Sequence, residues 1–286
     1  MKTDRISVKQ KFLGGVFCGA MALLTLSAQG TLIAYEGFDY TVGEGMANKS
    51  GGTGWSSNWF QARDYIVSSV SLNYQHGNVS MSNASGKAIK APNVGVNHAL
   101  SRGFDAGGED IFISFLYQSS TPNDINSWYN QLWVVNGGDY DVDAPGAALR
   151  HDGHVRARSD GSETNVDPAV DTRDDQTHLI VVHLDWNGTE YSHVHVYANP
   201  DSALEPSGSV ASRELTANSR PGEDLNFNRL GFRLNTFGGD TNSEVFFGEM
   251  RVGTTWDAVV IPEPTTTLLL LGGGFMLWGL RRRIEM

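Results

Sequence analysis

The sequence predicts an all-β sandwich of antiparallel strands, framed by an N-terminal signal helix and a C-terminal transmembrane helix. Three observations predict it. Between Leu32 and Val260 no long segment carries a helical period, and short apolar alternations recur instead between clusters of Gly, Asn, Asp and Pro. The composition is rich in turn material, with 33 glycines in 286 residues. Both ends read as targeting segments, residues 1–30 and 261–286, which leaves 31–260 as one domain of a size common for a single sandwich.

The N-terminal segment is built from a cationic head, Lys2, Arg5, Lys9 and Lys11, and an apolar run from Phe12 to Leu26. Charge followed by a short apolar stretch is the pattern of a signal peptide, and Ala28-Gln29-Gly30 offers the small residues that signal peptidase needs. The run is shorter than the roughly 20 residues of a permanent spanning helix. The single cysteine, Cys18, lies inside it. Phe17 precedes that cysteine where lipid modification needs a small residue, so lipoprotein processing is rejected. The mature body then has no thiol, hence no disulfide, no cysteine nucleophile and no thiolate zinc site.

With the flanking segments set aside, 14 basic residues face 29 acidic ones, and the body carries about −15 with histidines neutral. Such a surface repels nucleic acid and anionic lipid and favours solubility. No nucleic-acid partner is expected.

Within the body, Ile111 to Tyr117, Gln131 to Val135 and Leu225 to Leu234 read as strands. Gly51-Gly52-Thr53-Gly54 follows no strand-to-helix transition and reads as a turn, not a phosphate cradle. In His178 to Pro200, Ile180, Val182, Leu184 and Trp186 share one face, as do Val194 and Val196. A three-residue loop, Asn187 to Thr189, would pair 186 with 190, 184 with 192 and 182 with 194, and so put both apolar rows on one side. The other side would be polar, carrying His183, Asp185, Tyr191, His193, His195 and Tyr197.

The C-terminal segment reads Pro262-Glu263-Pro264, then Thr265 to Thr267 and an apolar stretch from Leu268 to Leu280, which together give a transmembrane helix over 265–280, then Arg281-Arg282-Arg283. Two prolines stop a helix from running back into the body. The apolar stretch can enter a bilayer, and the arginines hold its end on the cytoplasmic side. This order of parts resembles the PEP-CTERM sorting signal of Gram-negative bacteria. The resemblance implies an inner-membrane intermediate, recognition of Pro262, Glu263 and Pro264 by an exosortase, and delivery to the cell surface or extracellular matrix. A plain C-terminal membrane anchor is the alternative.

The hairpin from Leu179 to Pro200 resembles those of laminin G-like and concanavalin A-like jelly-roll sandwiches. So do Tyr35-Glu36-Gly37-Phe38-Asp39-Tyr40 with Gly54-Trp55 near the start, and Phe247 to Trp256 near the end. The resemblance implies that the first and last strands pair and close the sheet edges. Glucanases similar to this fold carry Glu-x-Asp-x-x-Glu on one strand, and no such motif is present here. Glu36 and Asp39 would lie on opposite faces of a strand, which fits an edge-strand role.

Three candidate sites remain. His183 opposite His193, with Asp185 beside them, could hold a transition metal. Tyr191, His193, His195 and Tyr197 could form a sugar-stacking platform, or this face could be ordinary cross-strand pairs. Asp139, Asp141 and Asp143 alternate as in a calcium loop, but Ala144 and Arg150 replace the Gly and Glu that an EF-hand needs, leaving at most a looser calcium site. No cofactor is required. The expected function is a non-catalytic glycan-binding or structural surface module, with extracellular polysaccharide as the partner. A polysaccharide hydrolase or lyase whose carboxylates come from separate strands is the alternative.

Overall fold

The computed structural model describes residues 30–61, 65–82, 85–90, 97–119, 129–136, 144–150, 152–159, 161–165, 170–206, 211–215, 227–235 and 244–260. The expected signal peptide up to residue 29, Asp139, Asp141 and Asp143, and the tail from 261 with Pro262, Glu263, Pro264 and Arg281 to Arg283 lie outside them. Among the described residues no helix is long and apolar enough to cross a membrane.

In chain order the strands are β1 (Leu32–Glu36), β2 (Phe60–Gln61), β3 (Ile66–Ser68), β4 (Asn73–His76), β5 (Val79–Ser82), β6 (Ala88–Lys90), β7 (Asn97–Gly103), β8 (Ile111–Ser119) and β9 (Tyr129–Val135). They continue with β10 (Gly146–Arg150), β11 (Val155–Ser159), β12 (Ser162–Asn165), β13 (Thr177–Trp186), β14 (Tyr191–Ala198), β15 (Ala211–Glu214), β16 (Arg229–Asn235) and β17 (Val245–Gly253), and a short helix α1 (Trp256–Val260) follows. One sheet has the order β15-β14-β13-β8-β17-β6-β3, with β1 also on β17, and the second has the order β12-β11-β10-β9-β16-β7-β2. All pairings are antiparallel, and β1 does pair with β17, Tyr35 opposite Arg251.

Period-two patterning builds the space between the sheets. Ile113, Phe115, Ile180, Val182, Leu184, Val194 and Val196 from one sheet meet Leu100, Leu132, Val134, Leu149, Leu230 and Phe232 from the other in one core. The sandwich is therefore an all-β fold of two antiparallel sheets, as the alternations predict. The Gly51 to Gly54 segment is a turn held against β1: Gly54 has φ +76, and a Cβ there would stand 1.8 Å from the Ile33 carbonyl oxygen.

A second core lies on the outer side of the first sheet. Leu116, Leu179, Val181 and Tyr197 are covered there by Tyr74, Val79 and Met81 of the β4–β5 hairpin and by Trp256, Val259 and Val260 of α1. This explains the unbroken apolar runs in β8 and β13, because strands covered on both faces gain from apolar residues at every position. It also corrects the expectation of a wholly polar outer face on the β13–β14 hairpin.

At the edge of the second sheet Glu163 gathers three arginines, at 2.8 Å to Arg150, 3.1 Å to Arg156 and 2.5 Å to Arg158. Burial alone would raise its pKa, but the arginine hydrogen bonds and charges outweigh burial and hold the carboxyl below its ordinary value. A depressed folded-state value stabilises the fold fully above the unfolded value of about 4.3 and less as pH falls through the folded one. Glu163→Gln is expected to cost about 2 kcal/mol at pH 7, as loss of hydrogen bonds to a charged group does. Urea unfolding at pH 7 and at pH 3.5 checks this: the gap between variant and parent should narrow in acid, and an unchanged gap would refute the assignment.

Candidate functional site

The β13–β14 hairpin carries the site, and its turn sets what faces where. Asn187 N–H donates to the Glu190 carbonyl at 3.0 Å. The Asn187 Oδ1 accepts from Thr189 N at 3.0 Å, Glu190 N at 3.1 Å and the Thr189 hydroxyl at 2.8 Å. An Asx turn of this kind spans four residues, 187–190, in place of the expected three. The added turn residue and a one-residue bulge at Ser192 together shift the register by two positions: His183 lies opposite His195, and Asp185 lies opposite His193. Both pairings correct the expected ones, His183 with His193 and Asp185 with Tyr191. Parity is preserved, so the inward apolar row is as predicted.

One irregularity changes a residue's face. The register shifts between Asp185 and Trp186, which pairs with Tyr191, so Ser192 is the extra residue of a bulge. Tyr191 consequently turns away from the histidines and is buried in the main core. Tyr197 is buried too, its ring 4.8 Å from that of Trp256 and its hydroxyl donating to Glu205. The expected open platform of Tyr191, His193, His195 and Tyr197 is therefore not formed. What remains exposed of it is chiefly His193, whose side chain is 41% accessible.

The bulge instead sends aromatic residues into a cavity of about 350 Å³ at one end of the sandwich. Its lining includes Asp105, Asn136, Trp186, Tyr191, Phe227 and Asn228, with Gly107 and Gly108 of the β7–β8 turn beside them. Trp186 meets Tyr191 edge-on at 5.0 Å, and Tyr191 stacks on Phe227 at 5.4 Å. Asn228 Nδ2 donates to Asn136 Oδ1 at 3.1 Å, joining the β9 end of the wall to the residue that precedes β16. The Tyr191 hydroxyl is buried and has no hydrogen-bond partner among the described residues. Burial first, then the Asp110 and Glu109 carboxylates, hold its pKa well above the ordinary phenol value, so it remains a neutral hydroxyl.

Outside this cavity, three imidazoles form a row across β13 and β14. His183 and His195 have ring centroids 5.4 Å apart, and His195 and His193 5.9 Å apart. Asp110, His183 and Asp185 bring one ligand atom each within 4.8 Å of one another. Of the expected metal trio, His183 and Asp185 thus come together, and Asp110 takes the place given to His193. Burial, then the neighbouring His183, hold His195 below the ordinary imidazole value.

Sequence reasoning missed Asp105, Asp110, Asn136, Phe227 and Asn228 as wall or cluster residues. The available signal was Asp105 to Asp110, a Gly-rich acidic turn leading into β8. Its partners are far along the chain, so only the fold brings them to the hairpin.

Solved structures similar to the chain include the carbohydrate recognition domain of Emp47p, with 12% identity, TM-score 0.44, and coverage of 80% of this chain and 98% of that one. A carbohydrate esterase from Shiga toxin-encoding bacteriophage phi24B has 12% identity, TM-score 0.43 and coverage of 79% and 99%. Lectin II from Ulex europaeus has 8% identity, TM-score 0.41 and coverage of 66% and 97%. At these TM-scores the likenesses assign no activity. No curated protein sequence matches the chain. Residues 260–283 match the PEP-CTERM protein-sorting motif, and the chain is accordingly an all-β sandwich that carries a PEP-CTERM sorting signal directly after its last described helix.

Proposed function

We propose that the sandwich is a non-catalytic glycan-binding module, delivered to the surface or matrix of a Gram-negative bacterium by its sorting signal. The observation that carries this reading is the end cavity, where the unpartnered Tyr191 hydroxyl lies within an aromatic wall. Its volume falls in the ~300–1,000 Å³ range of small-molecule sites. Sugars present apolar C–H faces and hydroxyl edges, and Trp186 offers a ring for the first while Asp105, Asn136, Asn228 and Tyr191 offer partners for the second. Asp105 is the carboxylate among the described lining residues. Glycoside hydrolysis uses two carboxylates, which supports binding over cleavage.

The test is a polysaccharide array probed with the full-length protein, with and without calcium, reading both bound protein and new reducing ends. Saturable binding without product is expected. Trp186→Ala should weaken it at least tenfold, and Tyr191→Phe, which removes a single hydroxyl, about three- to tenfold. Product release would make the protein an enzyme, and silence on every glycan would end the binding reading.

A further inference from the structure

We propose that Asp110, His183 and Asp185 form a binding site for a divalent first-row transition ion of the Zn2+ class, on the outer face of the first sheet. Three donors of mixed type meet there, His183 and Asp185 from β13 and Asp110 from the turn before β8. Imidazole together with carboxylate suits Zn2+ over Ca2+ or Mg2+, which prefer oxygen alone.

The geometry of His183 carries the inference. Its ring stacks on Phe112 with centroids 4.0 Å apart and an interplanar angle of 17°, which fixes its orientation. Its Nδ1 lies 3.1 Å from Glu205 Oε1. A carboxylate only accepts, so Nδ1 carries the hydrogen and, in the neutral ring, Nε2 keeps its lone pair. That Nε2 is buried, makes no hydrogen bond among the described residues, and lies 3.5 Å from Asp110 Oδ2. A carboxylate behind one ring nitrogen and an open lone pair at the other is the arrangement that orients histidine toward a metal.

Ligand atoms of a tetrahedral zinc ion stand roughly 3.3 Å apart, given bonds of about 2.0 Å. The present limit of 4.8 Å closes by small rotations of Asp110 and Asp185, whose side chains are each 43% accessible. Three protein ligands leave a position for water or for His195, the next ring in the row.

Asp110 also ties this site to the cavity. Its Oδ1 accepts the Trp186 N–H at 2.8 Å, while its Oδ2 faces His183. Ordering of Asp110 and Asp185 by an ion would therefore stiffen the bulge that places Trp186 in the cavity wall. This coupling rests on the glycan-binding reading, whereas the ion site does not.

The test uses the full chain purified in detergent without a histidine tag, stripped with chelator, and titrated calorimetrically with Zn2+ and separately with Ca2+. One Zn2+ per chain at micromolar or tighter affinity is expected, with Ca2+ much weaker. Asp185→Asn and His183→Gln should each weaken Zn2+ at least tenfold, Glu205→Gln about tenfold or more, and His193→Ala little. Circular dichroism confirms that each variant is folded, and the accessible Asp185 gives the comparison least dependent on packing. No Zn2+ binding at 100 μM, or binding that survives both Asp185→Asn and His183→Gln, would overturn the site. Because these titrations contain no glycan, their failure is separate from failure of the glycan array.

Discussion

Glu36→Gln is expected to lower the unfolding free energy by about 3–5 kcal/mol, the range for breaking a buried ion pair from one side. Glu36 is 1% exposed at the end of β1. Its Oε1 accepts the Phe38 N–H at 2.8 Å. Its Oε2 accepts from the Tyr40 hydroxyl at 2.8 Å, Trp59 Nε1 at 3.0 Å and Arg102 at 2.7 Å. A carboxylate can serve all four donors, while glutamine must point an NH2 group at some of them. The substitution therefore leaves donors unmatched and the Arg102 charge buried without its counter-charge.

Arg102 cannot escape to water at small cost. Its guanidinium lies 4.9 Å from the Trp55 ring centroid and 5.5 Å from that of Trp59, and it donates to the Ser57 and Gly51 carbonyls at 2.8 and 2.7 Å. Chemical denaturation of Glu36→Gln, Arg102→Met and the double variant checks the argument. The double variant should lose much less than the two singles together, because removing both charges abolishes the unpaired state. Strict additivity would mean that the pair itself contributes nothing.

The same residues show how much the sequence disclosed. Apolar alternation is enough for the sandwich and for the inward rows of the hairpin, while the union of first and last strands follows from the resemblance to jelly-roll sandwiches. It treated Glu36 as an edge residue, because periodicity says which face a side chain takes and not what packs over that face. Glu36 is covered by Trp59 and by Arg102, the latter 66 residues away in sequence. The hairpin failed for a similar reason. Asn187 closes the turn through its own side chain, and one added turn residue together with the bulged Ser192 slides the cross-strand partners of residues 180–185 by two positions. The bulge at Trp186 then moves Tyr191 from the polar face into the cavity. Tyr197 reads as solvent-facing in the sequence because the β4–β5 hairpin and α1 that cover it come from distant parts of the chain. The candidate site was legible as residue types, His183 and Asp185 above all, while its membership depended on this register and on Asp110.

Changing Pro262-Glu263-Pro264 to three alanines is expected to block processing almost completely and leave a slower-migrating, membrane-associated protein. The motif begins two residues after a firmly held point: Val259 and Val260 are fully buried, Trp256 packs on Tyr197, and the Ser114 hydroxyl donates to the Val259 carbonyl at 2.7 Å. Proline disfavours continuation of a helix, and the residue just before it is biased away from helix too. Alanines favour helix and would let α1 run on toward the apolar stretch. Because none of the body contacts is touched, the melting temperature of the sandwich should not change. Glu36→Gln, by contrast, should lower the melting temperature while leaving the processing signal intact. Immunoblots of membrane and surface fractions, paired with thermal melts, separate the two defects, and normal processing of the triple-alanine chain would refute the exosortase reading.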